Sequence, residues 1–171
     1  MPTHHEIKRL PYTATQMYDL VADVASYPKF LPWNSAARIR SRSPIPGGEV
    51  MEADLVISFK VFREKFGSRV TLWPEAMKID TEYLDGPFKH MKSNWAFRDV
   101  DEGCEVEFFV DFEFRNALLQ GIIGVLAGDH ETDGAKALLG IQVALLCGDL
   151  QHERRAHLAV DGGVLGTLAI R

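Results

Sequence analysis

The chain has 171 residues, enough for one domain with a substantial core, and its 46% hydrophobic and 25% charged residues are those of an ordinary globular protein, not of a disordered or fibrous one. A formal net charge of −5 at pH 7 gives no electrostatic footprint for nucleic acid, so no DNA partner is expected. No stretch approaches the roughly 18 uninterrupted apolar residues of a spanning helix, the nearest being 117–127 and 137–147.

Residues 3–10 form a short strand candidate that ends at Pro11. Thr13 then has the character of an N-cap, with Gln16 three residues on to complete a capping box. Met17, Leu20, Val21 and Val24 follow at helical spacing. The next segment, Tyr27-Pro28-Lys29-Phe30-Leu31-Pro32-Trp33, sets two prolines among three aromatics. Its apolar area is too large to leave in a solvated loop, and its prolines forbid a long helix. A short, rigid lid of Tyr27, Pro28, Phe30, Leu31 and Pro32 is expected, with Phe30 and Leu31 partly exposed and Trp33 turned inward.

After the lid the hydrophobic period becomes two. Ala37, Ile39 and Ser41 alternate with Arg38, Arg40 and Arg42 up to a turn at Pro44-Ile45-Pro46-Gly47-Gly48. Met51 to Phe59, Phe62 to Leu72 and Met77 to Tyr83 give three more strands, the last ending at Asp85-Gly86-Pro87. Phe88 to Val100 reads as a strand broken near Ser93-Asn94. Asp101-Glu102-Gly103 is a hairpin turn, and Val106 to Phe114 alternates apolar with acidic residues. Helix-prone sequence resumes at Asn116.

The fold class is therefore α+β: a curved antiparallel sheet of six to seven strands with one wet face, its apolar face covered by a long C-terminal helix. The inward set is aromatic: Phe59, Phe62, Phe66, Trp95, Phe97, Phe112 and Phe114. Patterning alone does not decide whether these rings fill a core or line a binding site.

Catalytic motifs are sparse. There is no nucleophile elbow, phosphate loop or dinucleotide fingerprint. Asp129-His130-Glu131 with Asp133 has the residue types of a ligand cluster but reads as a solvated helix break, and neither a metal nor a catalytic cofactor is expected. Glu64 and His90 are the candidates for acid–base work. Glu64 shares strand parity with Phe62 and Phe66, or else pairs with Arg63 or Lys65. Arg38, Arg40 and Arg42 read as one outward face, either solvated or facing an anionic surface. Cys104 and Cys147 lack metal-type spacing and leave a disulfide open, with a reducing compartment the expectation. The first residues show no signal or transit peptide pattern.

Four segments in order carry a resemblance. Val24-Ala25-Ser26-Tyr27-Pro28-Lys29-Phe30-Leu31-Pro32-Trp33 resembles the lid of the coenzyme Q-binding START-domain proteins and of their bacterial sister group, the ribosome-association toxins. Phe62 to Val70, then Gly86 to Met91 with Trp95-Ala96-Phe97, then Val106 to Phe114, match in the same order. The likeness spans about residues 3–126. It implies the helix-grip fold of the wider polyketide cyclase-like superfamily, with an elongated apolar cavity between sheet and C-terminal helix. Trp33, Phe59, Phe62, Phe66, Trp95, Phe97, Phe112 and Phe114, joined by Leu118, would line it.

The resemblance also sets the functional expectations. The first is a non-enzymatic carrier or chaperone for ubiquinone or a similar polyprenyl lipid, supporting respiratory electron transport. The second is a ribosome-directed protein that inhibits subunit association, and the third an aromatase- or cyclase-type enzyme. The implied setting is bacterial and cytoplasmic, with transient contact at the inner membrane. Residues 1–140 form the START-like lipid-binding domain. Beyond Leu126 the chain departs from the family, with a break at 128–134, and 141–171 is a divergent tail containing Gly162-Gly163, poor helix material.

Overall fold

The computed structural model describes residues 3–30, 34–59 and 62–117. Seven strands make one antiparallel sheet: β1 (Thr3–Leu10), β2 (Asn34–Ile45), β3 (Gly48–Phe59), β4 (Phe62–Trp73), β5 (Lys78–Asp85), β6 (Phe88–Val100) and β7 (Gly103–Phe114). The spatial order is β1-β7-β6-β5-β4-β3-β2, so each strand from β2 to β7 pairs with its neighbour in sequence. β1 closes onto β7 at the far side, in a register running from Thr3↔Asp111 to Leu10↔Cys104. Between β1 and β2 lie helix α1 (Ala14–Ala22), a 3-10 turn (Val24–Ser26) and the single-turn helix α2 (Tyr27–Phe30).

Period-two alternation divides the sheet into two faces. On β7, Cys104, Val106, Phe108, Val110, Phe112 and Phe114 are all buried, while the residues between them are half-buried or exposed. Register carries this apolar face across the sheet. Val106 stands opposite Phe97, Phe108 opposite Trp95, and Phe112 opposite Met91; Trp95 in turn faces Ile79. Met51, Ala53 and Leu55 of β3 continue it opposite Val70, Ser68 and Phe66 of β4.

Helix α1 covers one half of the apolar face. Met17, Tyr18 and Val21 pack with Met51, Val70, Ile79, Phe97 and Val106, and Tyr18 meets Phe97 edge-on at 5.8 Å between ring centroids. The capping box forms as the sequence implies: Gln16 N donates to Thr13 Oγ1 and Thr13 N donates to Gln16 Oε1, both at 3.1 Å. Asp99 accepts a third bond at the helix start, from Ala14 N at 2.8 Å, and so ties α1 to the end of β6. Orphan N–H groups of the first helical turn are thereby matched by side-chain acceptors.

Two local readings are corrected. β6 is continuous through Ser93-Asn94, because Ser93 pairs with Val110 and Thr81, and the Asn94 amide donates to Asp80 Oδ1 at 2.7 Å. The irregularity lies instead at Lys89, between Phe88 and His90. Arg38, Arg40 and Arg42 do not share a face. A register shift between Ile39 and Ser41 sets Arg42 opposite Met51, where it donates to Glu49 at 2.9 Å.

Among the described residues no helix is long and apolar enough to cross a membrane. The C-terminal helix, its Leu118, the break at 128–134 and the tail at 141–171 lie outside the described residues, as do Leu31, Pro32 and Trp33.

Thr13→Ala should remove the reciprocal capping bonds and cost about 1 kcal/mol of stability, measured as a lower urea midpoint with an unchanged slope.

Candidate functional site

The half of the apolar face not covered by α1 is aromatic. Phe88, Met91, Phe108, Val110, Phe112 and Phe114 form its buried cluster, with Phe66, Tyr83 and Trp95 packed against it. Phe88 is the hub. It stacks on Phe114 at 4.6 Å and meets Phe66, Tyr83 and Phe112 edge-on at 5.9, 5.5 and 6.4 Å. Trp95 leans on Phe108 at 4.3 Å and lies parallel to Phe97 at 6.1 Å. Phe66 and Trp95 touch both this cluster and the core under α1, so they mark the boundary between the halves.

The expected lining residues thus fall into separate places. Phe66, Trp95, Phe112 and Phe114 come together in the aromatic half. Phe97 lies under α1 against Tyr18. Phe59 and Phe62 pair with each other at the β3–β4 hairpin, where the structure describes their backbone register. Phe88 and Phe108 were not among the expected residues, although Phe108 has the same parity as Phe112 and Phe114. Phe88 is hidden in the sequence because the irregularity at Lys89 breaks its alternation with Met91.

The lid begins on α2. Pro28 stands in the first turn of this short helix, where a missing N–H costs nothing. Tyr27 is anchored, since its hydroxyl donates to Val21 O at 2.5 Å, closing the end of α1, and burial pushes its phenol well above the ordinary tyrosine range. Phe30 is half-buried, edge-on to Tyr27 at 5.8 Å.

The acid–base candidates also separate. His90 lies on the convex face, with Nε2 3.3 Å from Asp111 Oδ1 and Nδ1 3.9 Å from Glu113 Oε2. The same irregularity at Lys89 sends it there, away from the aromatics. Glu64 stands opposite Ile57 on the apolar face, half-buried. The pairing with Arg63 or Lys65 is not formed, because Lys65 turns to the other face and lies 3.8 Å from Asp54. Among the described residues no group of three or more His, Cys, Asp or Glu could hold a metal ion.

The convex face is laced with ion pairs. Arg40 reaches over Gly67, with Nε and Nη2 3.0 and 2.5 Å from Asp54 Oδ1 and Nη2 2.9 Å from Asp85 Oδ2. A Cβ on Gly67 would lie 2.6 Å from that guanidinium nitrogen, so the bridge requires glycine there. Hydrogen bonding to Arg40 holds the Asp54 carboxyl below the usual carboxylate range, against the opposing effect of its burial.

Residues 10–138 match the family described as polyketide cyclase / dehydrase and lipid transport, and the chain belongs to that family. A ribosome association toxin, RatA of Rickettsia prowazekii, is 39% identical over 127 residues, covering 72% of this chain and 84% of its own. The mitochondrial coenzyme Q-binding protein COQ10 of Drosophila melanogaster is 32% identical over 119 residues, covering 67% of this chain and 47% of its own. Among solved structures, an 18 kDa protein of Caulobacter crescentus is 35% identical with a TM-score of 0.63, covering 84% of this chain and 95% of that one. A Streptomyces aromatase/cyclase shares the fold at 19% identity and a TM-score of 0.59, over 92% of this chain and 89% of that one.

Two outcomes test these assignments. Tyr27→Phe should lower stability by about 1 kcal/mol, because it leaves the Val21 carbonyl without its donor. The Arg40–Asp54 bond makes a pH-dependent contribution. The Asp54 carboxyl is depressed in the folded state, so its stabilisation is full above the unfolded carboxylate value of about 4 and fades as pH falls through the lower folded value. Arg40→Gln should therefore melt several degrees below the parent at pH 7, with the gap narrowing at pH 3. A gap independent of pH would show that Arg40 acts through packing alone.

Proposed function

We propose that the protein is a non-enzymatic carrier that holds a hydrophobic ligand, ubiquinone or a similar polyprenyl lipid, against the aromatic half of its sheet. The observation that carries this reading is the division of the apolar face. α1 fills one half with mostly aliphatic side chains around the Tyr18–Phe97 pair, whereas the other half is a field of rings hinged on Phe88, with Trp95 half-buried at its boundary. Flat aromatic walls suit a quinone ring and methyl-branched isoprenoid units, each buried CH2 contributing about 0.8 kcal/mol. Such a site needs few polar groups, which fits the place of Glu64 as a single half-buried carboxylate beside Phe66. Phe66, Trp95, Phe112 and Phe114 would touch the ligand, with Trp33, Phe59, Phe62, Phe97 and Leu118 extending the lining. The lid from Tyr27 to Pro32 would gate it, Tyr27 as its fixed end and Phe30 and Leu31 as the parts that meet a bilayer. The likeness to COQ10 supports the quinone assignment.

A second reading is a ribosome-directed role. It is favoured by the higher identity to proteins named ribosome association toxin and by the convex cations Arg38, Arg63 and Lys65 on β2 and β4, all exposed. In either case the setting is the bacterial cytoplasm, with peripheral inner-membrane contact in the first.

Organic extraction of the purified chain followed by mass spectrometry separates the two. A bound isoprenoid quinone, lost or reduced several-fold in Phe112→Ala, supports the carrier. Lipid-free protein that sediments with large ribosomal subunits would replace it with the ribosomal reading.

A further inference from the structure

The buried polar atoms that lack a hydrogen-bond partner are unevenly placed. Among the described residues they are the Asn34 Nδ2 and Oδ1, the Ser68 Oγ and the Tyr83 Oη. All belong to residues on the apolar face. Ser68 and Tyr83 are directly paired across β4 and β5, in line with Ala53 of β3. Asn34 stands opposite Ile57, which stands opposite Glu64, so these three cross β2, β3 and β4 in one row. Asn34 and Ser68 are each only 2% exposed. On the convex face many charges are paired: Arg69 with Glu52, Lys89 with Glu113, and both Arg9 and Arg98 with Glu105.

A buried hydroxyl or carboxamide without a partner costs free energy, and folded proteins rarely tolerate several on one surface. Here they border an aromatic field. Tyr83 lies edge-on to Phe88, and Ser68 follows Phe66 along the same face of β4. Hydroxyls and carboxamides each donate and accept, which suits neutral oxygen functions. Glu64, in the row of Asn34 and two rows from Ser68, is an acidic group with no ion pair among the described residues, a poor neighbour for an anionic head.

We propose that Ser68 and Tyr83 form a polar recognition strip for the head of the ligand, with Asn34 as an outlying polar point two rows along the same face, and that this head is neutral and oxygenated: carbonyl, methoxy or hydroxyl groups on an apolar body, not a fatty-acid carboxylate or a phosphate. The proposal rests on the apolar-ligand reading above and assigns the residues that would meet the head.

The test uses the purified full chain and three probes: decylubiquinone as the neutral oxygenated probe, palmitate as the anionic one, and naphthalene as an oxygen-free one. Binding is read by tryptophan quenching and by thermal shift. The parent should bind decylubiquinone more tightly than palmitate. Ser68→Ala combined with Tyr83→Phe should weaken decylubiquinone roughly ten- to a hundredfold while leaving naphthalene within about twofold. Both changes delete partnerless atoms without altering shape much, so the ligand-free melting temperature should stay level or rise. Unchanged quinone affinity in the variant would overturn the strip and assign the hydroxyls to trapped water. Tighter palmitate binding, or naphthalene binding without quinone binding, would overturn the neutral oxygenated head while leaving an apolar site. Failure of the parent to bind any probe would overturn the apolar-ligand reading itself. A fall in ligand-free melting temperature for Ser68→Ala alone would show that the protein already satisfies that hydroxyl, which also overturns the strip.

Discussion

A single sheet with one apolar face is the constraint on which everything else in this protein depends. Seven antiparallel strands satisfy one another's backbone groups but leave a continuous row of rings and aliphatic side chains from β2 to β7 that water would penalise. α1 is the local answer. Its three-way anchoring by Thr13, Gln16 and Asp99 fixes where it lies, and its length fixes how much it covers. Because it covers one half, the identity of the other half becomes a functional matter. The side chains there are mostly rings, meeting edge to face around Phe88 and stacking on Phe114.

The two faces follow different chemical rules. Outside, many charges are matched to opposite charges, and the Arg40 bridge ties β2 to β3 and, across Gly67 of β4, to β5 with one guanidinium. Inside, polar atoms sit partnerless among aromatics. A sheet that pairs many exposed charges and leaves the buried polar atoms of Asn34, Ser68 and Tyr83 without partners departs from what stability alone would select. Apolar packing alone gives no reason for Ser68 or Asn34 at these positions.

Much of this was legible from residue order. Alternation marked the strands, the Thr13–Gln16 pair marked the helix start, and the lid segment carried the family resemblance. What escaped was whatever a single inserted residue alters. The irregularity at Lys89 turned His90 outward and concealed Phe88, and the shift at Arg40 divided three arginines that period two had placed together. Parity arguments assume an unbroken ladder, and a bulge reverses every inference beyond it. The partnerless atoms were equally invisible, because serine at position 68 looks like any strand serine until its register partner and exposure are known.

The shift in β2 has a consequence for solubility. β2 is the last strand of the described sheet, and a free strand edge is a template for another chain to add to. The displaced backbone at Arg40 spoils the even spacing of donors and acceptors that such addition needs. Further along, Pro44 removes one donor outright, and the arginines at 38, 40 and 42 keep the edge charged. The same irregularity that sends Arg42 to the other face therefore also guards this protein against strand-by-strand aggregation.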